Sequence, residues 1–99
     1  YTLSKQAQAG FTELAARAPA PKGIRVNGVA PALMLRSSGQ TQENFERVQA
    51  RNLAERGVEP EDVALAIRYL ASARTGTGEV IVIDAGQRFS PPGRDVQFL

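Results

Sequence analysis

Apolar residues recur at helical spacing through Ala7, Gly10, Phe11, Leu14, Ala15 and Ala18, which predicts an opening helix from Tyr1 to Ala18. Pro19 and Pro21 end it, because proline disfavours helical geometry in the residue before it. Ala7, Gly10 and Ala18 are small, which lets another helix approach closely. After the turn at Lys22-Gly23 the pattern changes. Ile24-Arg25-Val26-Asn27-Gly28-Val29 is rich in β-branched residues and bounded by Gly23 and Pro31, which predicts a strand over 24–29. Helix, tight turn and strand make half of an α/β crossover. The strand's carboxyl end carries Ala30-Pro31-Ala32-Leu33-Met34-Leu35. Ligands of open α/β sheets sit at such ends, so this segment is a candidate pocket wall.

Arg36 to Gln42 is polar and aperiodic and reads as a loop, either a plain connector or a lid over the pocket. A helix from Glu43 to about Leu53 follows, with Thr41 as its cap and Phe45, Val48 and Leu53 facing inward. Gly57 ends this region, which spans 33–57 as substrate loop and helix. The next helix, over 60–73, has Pro60 at its start, Glu61 and Asp62 in its first turn, and Val63, Ile67 and Leu70 along one face. Glu79 to Asp84 is the clearest strand, and its near-continuous apolar run predicts cover on both faces, as in a parallel sheet. Gly76-Thr77-Gly78 precedes that strand, whereas a dinucleotide fingerprint follows one, so it reads as a turn. The tail over 87–99 holds Pro91, Pro92 and Gly93 and is expected to run extended over a surface.

Helix, strand, two helices, strand is an α/β order. Two parallel strands that both read as buried need neighbours on their other edges and faces. The expectation is a chain incomplete as a fold, with a partner chain or a missing amino-terminal segment supplying the rest of the sheet.

Composition narrows the function classes. The chain has 99 residues, 42% of them hydrophobic, in keeping with one globular domain or part of one. Twelve basic and ten acidic residues are interspersed, and no basic block marks a nucleic-acid surface. There is no cysteine and no histidine, which removes disulfides, thiolate nucleophiles, histidine-based triads and imidazole metal sites within this chain, so no metal is expected. No apolar run approaches a membrane span and no signal-peptide pattern opens the chain, so a cytoplasmic protein with no nucleic-acid or membrane partner is the default.

The remaining chemistry lies at the start. Tyr1 and Lys5, at i and i+4, share one helix face. A free tyrosine has a pKa of about 10, and a nearby ammonium lowers it by favouring the phenolate. Such a tyrosine gives or takes a proton at a carbonyl or carbinol oxygen. The bland alternative is a surface pair worth a few tenths of a kcal/mol.

Four ordered blocks decide between these: Tyr1 to Lys5 (YTLSK), Gly23 to Pro31 (GIRVNGVAP), Pro60 to Ser72 (PEDVALAIRYLAS) and Thr77 to Gly86 (TGEVIVIDAG). Together they resemble the carboxyl-terminal part of a short-chain dehydrogenase/reductase, over nearly the whole chain. The resemblance implies a doubly wound Rossmann-type parallel sheet and a nicotinamide cofactor, NADP(H) ahead of NAD(H). It implies Tyr1 as general acid/base and Lys5 as the residue that holds the nicotinamide ribose and lowers the pKa of Tyr1. Ser4 matches the common YxxSK form. Pro31 would line the nicotinamide site, with main-chain contacts from Ala32, Leu33 and Met34, and Leu35, Arg36 and Ser37 would face the substrate. The family usually has glycine where Ala32 stands, often threonine where Arg36 stands, and commonly glycine where Ala85 stands. Ala32 still permits a backbone contact, and Ala85 is expected to be tolerated.

Ala30 to Leu53, with Asp84-Ala85-Gly86-Gln87-Arg88, is similar to the pteridine and dihydromonapterin reductase branch. A 3-oxoacyl or sugar-alcohol reductase is the other possibility. The expected partners are a small-molecule substrate, the missing amino-terminal half and further copies in a homodimer or homotetramer. A different class of function is a noncatalytic assembly module, since family members build dimer interfaces from the first helix and from the last helix and strand.

Overall fold

Pro19 and Pro21 close the first helix near where the sequence places its end. In the computed structural model, which describes residues 2–89, α1 covers Thr2–Arg17, and Ala20–Lys22 forms one 3-10 turn that Gly23 ends in the left-handed region at φ 76°. There follow β1 (Gly28–Pro31), α2 (Gln42–Ala50), α3 (Pro60–Ser72), β2 (Val80–Ile83) and a 3-10 turn at Gln87–Phe89. Tyr1 and the tail from residue 90 onward lie outside the described residues. The chain divides into two units, Tyr1–Ala30 with Leu65–Val82 and Pro31–Ala64 with Ile83–Leu99.

In the first unit the buried apolar residues are Ala16, Ala66 and Leu70. α1 does not bury the large members of the stripe its periodicity predicts: Phe11 and Leu14 are 65% and 58% exposed, and Leu3, outside that stripe, is 81% exposed. The helix instead turns Thr12 and Ala16 inward. A Cβ at Gly28 would lie 3.5 Å from Thr12 Oγ1, and one at Gly78 would lie 3.6 Å from the Ala16 Cβ. Close backbone approach selects the small side of the helix, because Phe11 and Leu14 would hold a neighbour away; a Cβ added at Gly10 would meet no described residue within 4 Å. In α3 the inward stripe is Val63, Ala66 and Leu70, and Ile67 is 55% exposed rather than inward.

The strand expected over 24–29 begins only at Gly28. Its predicted first half is engaged by backbone and side-chain groups of the turn before β2. The Val26 amide donates to Thr77 Oγ1 at 3.2 Å, Gly78 donates to the Val26 carbonyl at 2.7 Å, and Asn27 accepts from the Glu79 amide and donates to the Gly76 carbonyl, both at 3.0 Å. Arg25 donates from one guanidinium nitrogen to the carbonyls of Leu70, Ala73 and Gly76 and from the other to that of Ala71, at 2.6 to 3.3 Å. The carbonyls of Leu70 and Ala71 belong to the last turn of α3, which has no intrahelical donors for them, and those of Ala73 and Gly76 belong to the turn that follows. Gly76-Thr77-Gly78 is thus a turn that feeds β2, as its position relative to the strand predicts.

β1 and β2 pair in a two-stranded sheet. The Gly28 amide donates to the Glu79 carbonyl at 2.8 Å and, in the second unit, the Ala32 amide to the Ile83 carbonyl at 3.0 Å. The constant offset along both strands makes the pair parallel. Val82 is 43% exposed and Ala30 and Pro31 are exposed, so among the described residues neither strand is covered on both faces.

In the second unit Thr41 caps α2, its Oγ1 accepting from the Asn44 amide at 3.1 Å, an arrangement worth about 1 kcal/mol. Val48 and Val58 are buried, whereas Leu53, expected inward, is 62% exposed because α2 ends at Ala50. Asn52 takes the buried place instead, its amide nitrogen donating to the Arg56 carbonyl at 2.8 Å. The first residues of the expected extended tail, Gln87–Phe89, form a 3-10 turn.

Candidate active site

The site follows from two local rules, the helical i,i+4 spacing and the break in the sheet after β1. Tyr1 lies outside the described residues. Lys5, one turn into α1 in the first unit, is exposed and donates to Gln8 Oε1 at 3.4 Å.

The second unit carries the remaining predicted residues on one continuous stretch, Pro31 to Ser37. Pro31 ends β1 and is exposed, and Ala32 is half-buried. The Ala32 amide is committed to the Ile83 carbonyl, so it is not available as a donor to a ligand, and the main-chain group left there is its carbonyl. Among the described residues the Leu33 and Met34 amides donate to no protein acceptor, while the Leu33 carbonyl accepts from Gln49 Nε2 at 3.4 Å. The first backbone donors past the sheet are therefore those of Leu33 and Met34.

Leu35 is 65% exposed, Arg36 is exposed and Ser37 is half-buried. Ser37 and Gln40 close on one another: the Ser37 amide donates to Gln40 Oε1 and the Gln40 amide to the Ser37 carbonyl, both at 3.0 Å. Gln40 Nε2 then donates to Asn44 Oδ1 at 2.6 Å, tying the loop to the first turn of α2. Gln40, Asn44 and Gln49 were not singled out by the sequence reading. Polar residues spaced three and four apart around the Thr41 cap are the signal that marks Gln40 and Asn44; Gln49 carries no such signal.

Asp84, at the end of β2 and in the Asp84 to Arg88 stretch of the family resemblance, is buried. It accepts from the Gly86 amide at 2.9 Å, the Arg88 amide at 3.0 Å and Arg88 Nη1 at 2.9 Å. Burial raises its pKa, but the two amides and the charge and hydrogen bond of Arg88 outweigh burial and hold the carboxyl below its ordinary value. It anchors the turn in which Ala85 and Gly86 both have positive φ, 50° and 82°.

A family model described as enoyl-(acyl carrier protein) reductase matches residues 1–88. The chain belongs to the short-chain dehydrogenase/reductase family. Among solved structures of this family, it is similar to the FolM alternative dihydrofolate reductase 1 from Brucella canis complexed with NADP. That match has 38% identity and a TM-score of 0.82 over 96% of this chain and 38% of the other. It is also similar to 4-hydroxyisoleucine dehydrogenase complexed with NADH, at 29% identity and a TM-score of 0.73 over 92% of this chain and 39% of that one. A short-chain dehydrogenase from Leptospira borgpetersenii with bound NAD+ matches at 28% identity and a TM-score of 0.73, over 87% of this chain and 34% of the other. No curated protein matches the chain. The chain thus spans about two-fifths or less of the length of these structures. The expected Rossmann-type α/β fold of a short-chain dehydrogenase/reductase is borne out.

Proposed function

We propose that the protein is an NAD(P)(H)-dependent oxidoreductase that moves hydride to or from a carbonyl, alcohol or pterin imine carbon, with NADP(H) and a dihydropterin favoured. The observation that carries this reading is the 38% identity, across 96% of the chain, to a FolM alternative dihydrofolate reductase complexed with NADP.

The chain's own residues fit such a cofactor. The Leu33 and Met34 amides, without protein acceptors among the described residues, are donors for a carboxamide beside Pro31; Ala32 contributes through its carbonyl side only. Lys5 supplies the ammonium for the ribose hydroxyls. When bound, the nicotinamide supplies or accepts the hydride, and the protein supplies geometry and electrostatics. In reduction Tyr1 gives its phenolic proton to the substrate oxygen or nitrogen as the adjacent carbon gains hydride, and in oxidation it takes that proton back. Lys5, four residues on in the sequence, favours the phenolate that remains. Leu35, Arg36 and Ser37 face the substrate from the loop after β1.

Tyr1→Phe in the full-length protein is expected to lower dihydropterin reduction, followed as NADPH oxidation, by about a hundredfold or more while cofactor affinity holds. A variant that keeps wild-type turnover would remove Tyr1 from the chemistry.

A second reading, in which the chain acts in assembly, is favoured by the apolar face of α1 left exposed at Leu3, Phe11 and Leu14. The two readings separate on the same substitution, because Tyr1→Phe leaves an assembly role intact.

A further inference from the structure

We infer that Arg36 is an anion anchor of the substrate loop, pairing with a carboxylate of the substrate or a phosphate of the dinucleotide; this rests on the reductase reading above. Between Gly28 and Gln42 Arg36 is the only charged residue. Its surroundings in the chain are apolar or neutral: Leu33 and Met34 are half-buried, Leu35 is exposed, and Ser37 and Ser38 follow. No carboxylate on this stretch exists to neutralise it.

The guanidinium is exposed and, among the described residues, makes no hydrogen bond or ion pair. Other arginines are committed elsewhere: Arg17 to Glu13, Arg88 to Asp84, and Arg25 to four backbone carbonyls. The backbone on both sides of Arg36 is held. Ala32 is tied to Ile83, and Ser37 is tied to Gln40 and through it to Asn44 of α2. The side chain therefore projects from a root fixed at both ends, which lowers the ordering cost of engaging a ligand.

A guanidinium presents a planar fork of donors that matches a carboxylate or phosphate with two parallel hydrogen bonds. Following in sequence Leu35 and the amides of Leu33 and Met34, which donate to no acceptor among the described residues, it suits a ligand that is apolar or planar at one end and anionic at the other. A dihydropterin conjugated to a carboxylate-bearing side chain has this form, and so does a dinucleotide.

The test is equilibrium binding to the full-length wild-type, Arg36→Gln and Arg36→Lys proteins, using NADPH alone and then dihydrofolate and dihydrobiopterin in the presence of NADP+. Arg36→Gln is expected to weaken one anionic probe about tenfold. Loss confined to dihydrofolate identifies the substrate carboxylate, and loss confined to NADPH identifies the phosphate. Dihydrobiopterin, which lacks the carboxylate, should be unaffected, and Arg36→Lys should recover part of the loss. Unchanged affinity for both anionic probes, an equal loss for dihydrobiopterin, or a wild-type protein that binds neither anionic probe overturns the inference. Turnover is read separately: binding without reduction of either dihydropterin would sink the proposed reaction and leave the binding comparison decisive for Arg36.

Discussion

At Asp84 burial and hydrogen bonding pull in opposite directions. Burial disfavours the carboxylate, but two amides and the Arg88 guanidinium favour it more, so the folded pKa lies below the ordinary value of about 3.9. A depressed carboxylate contributes stability that is present above the ordinary pKa and lost as pH falls through the folded one. Melting temperatures taken from neutral pH down to below pH 4 should therefore fall more steeply for the wild type than for Asp84→Asn. The variant should start lower at neutral pH. Parallel curves would show that the charge on Asp84 contributes nothing. The same residue explains why Ala85 is tolerated where the family commonly has glycine. The left-handed conformation costs an alanine roughly 1–2 kcal/mol, and bonds from Gly86 and Arg88 to Asp84 and from Ala54 to the Ala85 carbonyl hold it there. The Asp-Ala-Gly sequence is visible in the chain, but the partners that lower the Asp84 pKa are not.

At the scale of elements, Arg25 joins the end of α3 to the approach to β1. Helix limits were legible because their signals are local: Pro19 after α1, Thr41 before α2, and Pro60 with Glu61 and Asp62 at the start of α3. The start of β1 was not. Ile24 to Val29 has the composition of a strand, but its polar members Arg25 and Asn27 have partners some fifty positions away, and those bonds replace the ladder until Gly28. Arg25→Met removes four donated bonds to carbonyls of the α3 end and the following turn. It is expected to destabilise the protein by about 2 kcal/mol and to speed amide exchange at Ala73, Gly76 and Gly78 together. Faster exchange at none of them would show that the carbonyls find other donors.

At the scale of the whole molecule, the exposed face of α1 is the feature that most needs a partner. Phe11 and Leu14 lie on the stripe the periodicity marks as apolar, yet the described residues leave them exposed, along with Leu3 nearer the helix start. If this face mediates assembly, Phe11→Glu should shift the full-length protein to a smaller species by light scattering on a sizing column. An unchanged mass would release the face from that role. The sequence by itself determined the helix starts and the end of α1, the α/β order, the turn at Gly76 to Gly78 and the family, because caps, prolines, periodicity and short ordered motifs act through neighbouring residues. Only the tertiary structure decided which side of α1 is inward, since that choice depends on where the backbones of Gly28 and Gly78 approach. It alone showed that the Ala32 amide belongs to the sheet while those of Leu33 and Met34 do not, because a hydrogen bond to Ile83 is a matter of register between distant segments, which no local pattern encodes.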